Sequence, residues 1–305
     1  MSEDGSDQWF ECRCGHDHWG RFGAAGLLVY RGEEVLLQLR GSRTHHGDTW
    51  GLPGGARKRG EKALAAALRE GREEAGLAVE LLRPRWWFIA DHCPWTYTTI
   101  AVQAPGADDS AAGDSAAGGL FAGGLFAGEA NWETAELAWA PRDQASGADL
   151  HPGLAQAWPA LAPLVGERLT LIVDAANVVG SRPDGWWRDR AGAAKRLRGE
   201  LGVLAAVGLA NTWTEAPNGW YPEIVMVVEG QARGIGPGEG VRVVDAPGEG
   251  DDEIVAQAGR AVATGRGPVL VATADRGLIA RLPRGGHRPC QVLAPARLRS
   301  LLTGG

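Results

Sequence analysis

Glu70, Glu73 and Glu74 share a five-residue stretch, with Arg69 directly before them and Glu61 nine residues before Glu70. On a helix turning 100° per residue, Glu73 falls about 60° to one side of Glu70 and Glu74 about 40° to the other. Leu64, Leu68 and Ala75 gather some 120–160° around the same axis, so one face is apolar and the other carries three converging carboxylates. Three carboxylates this close repel one another unless a cation sits among them. An all-oxygen donor set suits a hard divalent ion, Mg²⁺ or Mn²⁺. The loop ahead of the helix holds Gly54 and Gly55, which let the backbone approach a phosphate or the ion closely. Such a group would set a divalent ion against a phosphate.

The whole run reads Gly54-Gly55-Ala56-Arg57-Lys58-Arg59-Gly60-Glu61, then Lys62–Leu68, then Arg69-Glu70-Gly71-Arg72-Glu73-Glu74-Ala75-Gly76-Leu77. It resembles the Nudix box: Gly, five residues, Glu, seven residues, Arg-Glu, a hydrophobic position, any residue, Glu-Glu, any residue, Gly, hydrophobic. Gly55, Glu61, Arg69, Glu70, Glu73, Glu74, Gly76 and Leu77 match. Gly71 departs, and glycine there is expected to weaken the helix by ~1 kcal/mol relative to Ala and to loosen its packing. A single acidic helix is commonly just a solvated, charge-paired face; the complete spacing with both glycines is far more specific. The lead-in Thr49-Trp50-Gly51-Leu52-Pro53 is similar to the family's as well, and the resemblance extends over about residues 20–165. It implies an α/β/α sandwich around a mixed sheet and hydrolysis of a nucleoside diphosphate linked to another moiety. Glu70, Glu73 and Glu74 would bind Mg²⁺ or Mn²⁺, Arg69 would hold the glutamates, Glu61 would sit at the edge of the cluster, and Gly54 and Gly55 would face the substrate. Glu133, Glu136 and Trp139 resemble the family's late strand, and either glutamate is a candidate base or extra ligand.

A second set of acids follows short apolar runs: Asp174 after Leu169–Val173, Glu229 after Ile224–Val228, Asp245 after Val241–Val244 and Asp275 after Val269–Ala274. In open parallel sheets, sites form at the carboxyl ends of strands. Asp251 and Asp252 add two acids at a helix start, where N-terminal capping is the ordinary alternative. Val173-Asp174-Ala175-Ala176-Asn177-Val178, Gly250-Asp251-Asp252-Glu253-Ile254 and Thr273-Ala274-Asp275-Arg276 together resemble the NYN branch of the PIN-like nucleases, over about residues 168–300. That resemblance implies Mg²⁺ or Mn²⁺ on Asp174, Asp275 and either Asp251 or Asp252, with Asn177 assisting and Arg276 beside it on the substrate side. Trp186-Trp187-Arg188-Asp189-Arg190, then Lys195, Arg196 and Arg198, interleave aromatic and basic residues, which suits single-stranded RNA. A Trp pair packed in the core under a solvated basic helix face is the competing reading.

Cys12, Cys14, His16 and His18 lie within seven residues and form a candidate structural zinc knuckle. Their Cys-x-Cys spacing is tighter than usual, and His92 and Cys93 could complete a site only if the fold brings them near. His45-His46, just before the box, could touch a substrate phosphate or lie solvated on a loop.

These residues need elements to hold them. Strands are expected at 25–30, 34–39, 79–82, 86–90, 97–102 and 136–140, with Arg31-Gly32-Glu33 as a hairpin turn and a helix over 61–75 capped by Gly76. Residues 104–130 contain two tandem duplications of small residues, Asp109–Gly118 and Gly119–Gly128, and read as an unstructured inserted loop. A short helix near 154–165 closes the first part. Beyond a junction at 166–168, apolar runs alternate with helical stretches near 188–207, 252–264 and 277–282, which predicts a mainly parallel, Rossmann-like sheet. The expected organisation is an N-terminal segment 1–19, a Nudix-type domain 20–166 and a PIN-like domain 167–305.

Composition agrees with two globular domains: 305 residues, 44% hydrophobic and 22% charged. Residues 1–166 hold 14 Lys and Arg against 22 Asp and Glu, whereas residues 167–305 hold 17 against 15. The mild positive balance of the second half does not by itself argue for nucleic acid. The absence of a long charge-free apolar run argues against a membrane span. An acidic start unlike a signal peptide and only four Cys point to a cytoplasmic protein. The expected activity is a metal-dependent diphosphate hydrolase on a nucleotide derivative, with a ribonuclease-type second domain. The alternative makes RNA cleavage the main activity and the first domain a nucleotide sensor.

Overall fold

The computed structural model describes residues 5–6, 8–13, 15–106, 124–183, 185–212, 216–284 and 290–303. It divides into two compact units: Met1–Gly166 with Thr212–Asn218, and Glu167–Asn211 with Gly219–Gly305. Among the described residues, no helix is long and apolar enough to cross a membrane.

The first unit opens with a small antiparallel hairpin, β1 (Trp9–Glu11) and β2 (Asp17–Trp19). Then follow β3 (Ala24–Arg31), β4 (Glu34–Arg40), β5 (Trp50–Gly51), β6 (Gly54–Ala56), α1 (Ala63–Ala75), β7 (Arg83–His92), β8 (Trp95–Gln103), β9 (Thr134–Pro141) and α2 (Pro152–Leu161). The sheet runs β7-β8-β3-β4-β5, with β6 paired to β3 and β9 to β4. It is mixed: β3 and β8 are parallel, in register from Ala24↔Tyr97 to Tyr30↔Gln103, and the other pairs are antiparallel. β3 is apolar without alternation because it is buried on both faces.

Helix α1 lies on β3 through Ala66, Ala67, Gly71 and Ala75. Gly76 ends it in the left-handed conformation, φ 62°. Gly71 does not loosen this packing, contrary to expectation. A Cβ there would stand 2.5 Å from Leu27 Cδ1, so the glycine is what brings the helix onto the strand. The strand expected at 79–82 is instead a 3₁₀ turn, Val79–Leu81, because the chain has to reverse between α1 and β7. Most of the expected unstructured loop, including the first duplication, Leu120 and Phe121, lies outside the described residues. Its end is ordered: Leu125 is buried, its carbonyl accepts from Ala78 N–H at 2.7 Å, and Phe126 bridges Leu77.

The second unit contains β10 (Thr170–Asp174), α3 (Ala175–Gly180), α4 (Arg190–Val207), the short antiparallel pair β11 (Leu209–Ala210) and β12 (Gly219–Trp220), β13 (Glu223–Val228), β14 (Val241–Asp245), α5 (Gly250–Thr264), β15 (Val269–Ala272), α6 (Arg276–Arg281), β16 (Gln291–Leu293) and α7 (Pro295–Thr303). The five-stranded sheet runs β14-β13-β10-β15-β16 and is parallel throughout. Ile172, Val225, Val227 and Val271 of the sheet pack against Ile254 and Ala258 of α5 and Leu278 of α6. The chain winds outward on one side of β10 and then on the other. The direction reverses between β10 and β15, and at such a reversal a crevice opens beyond the carboxyl ends.

Candidate active site

In the first unit, β6 (Gly54–Ala56), the turn that follows it and α1 bring the acids together around one arginine. Arg69 donates to Glu61 Oε1 at 3.0 Å and Oε2 at 3.1 Å, to Glu70 Oε1 at 2.6 Å, to Glu73 Oε2 at 3.2 Å, and to the Ala56 carbonyl at 3.0 Å. Glu61 also accepts from Lys58 N–H at 2.8 Å. Burial pushes the Glu61 carboxyl up, but the bonds from Arg69 and Lys58 outweigh it and hold the group below the ordinary range. Glu70 ends above that range because burial is the larger effect and Arg69 offsets only part of it. The Glu70 carboxylate lies where a Cβ of Gly55 would stand, 2.6 Å from Oε1, so this position has room only for glycine.

Glu74 is buried, 3% exposed, beneath the other two. Its Oε2 accepts from Gly54 N–H at 2.9 Å and lies 3.4 Å from Gln38 Nε2. Burial and a hydrogen bond with Glu133 push its carboxyl well above the ordinary range. Glu133 stands just before β9, and its carbonyl accepts from Gly41 N–H. Glu136 is exposed on β9. Of the two late glutamates, the fold brings Glu133 to the cluster and leaves Glu136 outside it. The donor set is all oxygen, Glu74 lies buried within it and Glu73 is exposed at the rim. These residues fit a hard divalent ion.

In the second unit, Asp174 closes β10 and is buried. Its Oδ1 accepts from Asn177 N–H at 3.0 Å and its Oδ2 from the Thr273 hydroxyl at 2.9 Å. Asn177 Oδ1 accepts from Ala274 N–H at 2.9 Å, which ties the β10 and β15 ends together across the switch point. Asp275 caps α6 through Leu278 N–H at 2.9 Å, and Glu229 accepts from Gly250 N–H at 2.7 Å at the start of α5. Burial and the neighbouring carboxylates of Asp251 and Glu229 raise Asp174; burial and then Asp275 raise Asp251. Asp252 pairs with Arg281, whereas the charges of Asp275 and Glu229 act on Asp251. Arg276 is exposed at the start of α6, and Asp245 accepts from Gly234 N–H. Beside the acids lies a cavity of about 280 Å³ lined by Ala176, Val179, Trp186, Arg190, Glu229 and Arg233. Trp186 has Arg190 over its ring at 5.4 Å, and Trp187 is half exposed, so the Trp pair is not core.

The N-terminal candidates are placed separately. Cys12 is buried against Phe10, Ala24, Trp95 and Tyr97. His16 is exposed, while His18 stacks on Trp95 at 4.1 Å and lies 4.6 Å from the His92 ring. Cys93 is exposed, its carbonyl accepting from Arg13 N–H, and Cys14 lies outside the described residues. Sequence reasoning did not single out His151, which the fold sets beside His46, ring centroids 4.8 Å apart. Nor did it find Gln38, which bonds Thr134 at 2.7 Å and reaches Glu74 from inside β4. Neither residue has a local motif, and only the β4–β9 pairing and the start of α2 bring them in.

The NUDIX domain family matches residues 20–161. A Mycobacterium tuberculosis protein named "Putative 8-oxo-dGTP diphosphatase 3" is 37% identical over 175 residues, covering 52% of this chain and 72% of that protein. A Bifidobacterium longum protein named "Nucleoside triphosphate pyrophosphatase/Nudix hydrolase fusion protein" is 33% identical over 172 residues, 54% of this chain and 32% of that protein. Among solved structures, the M. smegmatis Nudix hydrolase RenU is 34% identical with a TM-score of 0.39, covering 52% of this chain and 95% of that one. With its matching residues folded into the mixed sheet, glycine loop and glutamate helix of the first unit, the chain belongs to the NUDIX family.

Proposed function

We propose that the first unit hydrolyses the diphosphate linkage of a nucleoside diphosphate derivative, with Mg²⁺ or Mn²⁺ held by Glu70, Glu73 and Glu74. The observation that carries this is the Arg69-centred array: one guanidinium fixes Glu61, Glu70 and Glu73, while Gly54 N–H fixes Glu74 beneath them. The bound ion would neutralise the diphosphate and polarise the attacking water. Arg69 orients the carboxylates and prevents their mutual repulsion from splaying them apart. Gly55 keeps the loop backbone against Glu70, open to a phosphate. Glu133, whose side chain reaches Glu74, is the candidate for the base or a further ligand. The name of the M. tuberculosis relative makes an oxidised purine deoxynucleoside triphosphate the first substrate to try.

The test is incubation of the pure protein with Mg²⁺ or Mn²⁺ and a panel of nucleoside di- and triphosphate derivatives, with products read by mass. Cleavage within the phosphate chain is expected, and Glu73→Gln or Glu74→Gln should lower it at least a hundredfold while the protein stays folded. Full activity in either variant would overturn the assignment.

A second reading concerns the other unit, and we infer a PIN-like, metal-dependent ribonuclease centre there. Asp174, Asp251 and Asp275, with Asn177 linking two strand ends, support it. Asp174 and Asp275 stand at or just beyond the ends of β10 and β15, where the all-parallel sheet reverses direction, Asp251 stands at the start of α5, and a cavity with Trp186, Arg190 and Arg233 adjoins Ala175 and Glu229. Asp174→Asn should abolish cleavage of a short single-stranded RNA and leave nucleotide turnover unchanged. RNA cleavage that survives this change would remove the reading. RNA cleavage without diphosphate turnover would make the first unit a nucleotide sensor.

A further inference from the structure

The loop at 41–49 and the start of α2 bring three imidazoles together. One ring nitrogen from each of His45, His46 and His151 lies within 4.8 Å of the other two. The rings meet edge to face, His45 and His46 at 4.0 Å and His46 and His151 at 4.8 Å. The loop is held in this shape at a cost. His46 and Asp48 both have positive φ, 55° and 62°, a conformation that non-glycine residues seldom adopt and that clusters at functional sites. Thr49 Oγ1 donates to the His46 carbonyl at 2.6 Å and Arg40 Nε to the His45 carbonyl at 3.1 Å, locking the turn. His151 N–H donates to the Trp50 carbonyl at 2.8 Å, which fixes the third ring against the same loop.

We propose that His45, His46 and His151 form a site for one borderline transition-metal ion of the Zn²⁺, Co²⁺ or Ni²⁺ class. Neutral imidazole is the ligand of choice for these ions, and three with an open fourth position is a familiar set. Burial, then Arg40 and the other two imidazoles, lowers His151 to about 4, and burial with His46 and Arg40 lowers His45. Bonds of about 2.0–2.1 Å to nitrogen require the three nitrogens to close in, and the exposed His45 and His46 can rotate to do so. Two features work against the ion. Arg40 adds a positive charge nearby, which an anion in the open position would offset. His151 Nδ1 accepts from Gly153 N–H at 3.1 Å, so its proton is on Nε2. Coordination through Nε2 moves that proton to Nδ1, and the Gly153 amide gives up its cap. The ion would tie loop 41–49 to α2, and its donor chemistry separates it from the oxygen-only Glu70 cluster.

The test is Co²⁺ titration of the tag-free, EDTA-treated full-length protein, read by visible absorption. One equivalent should give the ligand-field bands of nitrogen coordination, displaced by Zn²⁺ and not by millimolar Mg²⁺. Affinity should fall at least tenfold in His46→Ala and in His151→Asn, whose asparagine preserves the α2 cap, and should be unchanged in Glu73→Gln. Zn²⁺ should also speed hydrogen exchange at the Gly153 amide. Absence of ligand-field bands would overturn the proposal. So would bands that survive in a folded His151→Asn protein, bands lost in Glu73→Gln, or an intense near-ultraviolet thiolate band marking Cys ligands.

Discussion

Arg69 carries more of the first site than any one of the acids it holds. It bonds Glu61, Glu70, Glu73 and the Ala56 carbonyl, and its own side chain is only 21% exposed. Removing it leaves Glu61 and Glu70, which are 15% and 13% exposed, without their counter-charge. Breaking a fully buried pair costs ~3–5 kcal/mol, and partial solvent screening here reduces that to ~2–3 kcal/mol. Arg69→Ala is therefore expected to lower stability by that amount in urea unfolding and to reduce diphosphate cleavage at least a hundredfold. Arg69→Lys should recover much of the stability and little of the activity. An ammonium restores the charge but cannot reach Glu61, Glu70 and Ala56 in one plane. Equal recovery of both would mean that Arg69 acts only as a charge.

At the scale of elements, helix α1 shows how far a pattern in the chain can be trusted. The spacing of Glu70, Glu73 and Glu74 against Leu64, Leu68 and Ala75 was legible because helical geometry is local and repeats every few residues. The Gly76 cap was legible for the same reason. The consequence of Gly71 was not, because it depends on Leu27, more than forty positions away on β3. Gln38 likewise acquires meaning only when β4 pairs with β9, the pairing that also separates Glu133 from Glu136, and His151 only when α2 starts beside β5. In the second unit the strands β10, β13, β14 and β15 were visible as apolar runs, whereas α3, β16 and α7 are short and were missed. Gly71 also gives the prediction proper to this scale. Alanine in a helix gains ~1 kcal/mol over glycine, but its methyl would fall 2.5 Å from a Leu27 side chain with no exposed surface. Overpacking of this kind costs ~1–3 kcal/mol. Gly71→Ala should therefore be net destabilising by about 1 kcal/mol, and Gly71→Ile, the residue type of the family pattern, by more. A stabilised Gly71→Ala protein would show that α1 moves off β3 freely.

At the scale of the whole molecule, each unit has its own buried apolar core and its own set of acids. Leu27, Leu36, Trp86 and Ile100 fill the first, and Ile172, Val225, Val271 and Ile254 fill the second. Two-state behaviour belongs to single cores, so all-or-none unfolding of the full chain is not expected. Scanning calorimetry should resolve two transitions. Because an ion bound only by the folded state stabilises it by ~2.7 kcal/mol at a hundred times its dissociation constant, Mn²⁺ at that level should raise the transition of the unit that binds it by ~5–10 °C. The two variants then assign the transitions. In Glu73→Gln the first unit's response should disappear and the second's persist, and in Asp174→Asn the reverse. The domains would be thermodynamically independent if each change affects one transition alone. If Glu73→Gln abolishes both responses, the second acid cluster binds no ion of its own, and the ribonuclease reading fails with it.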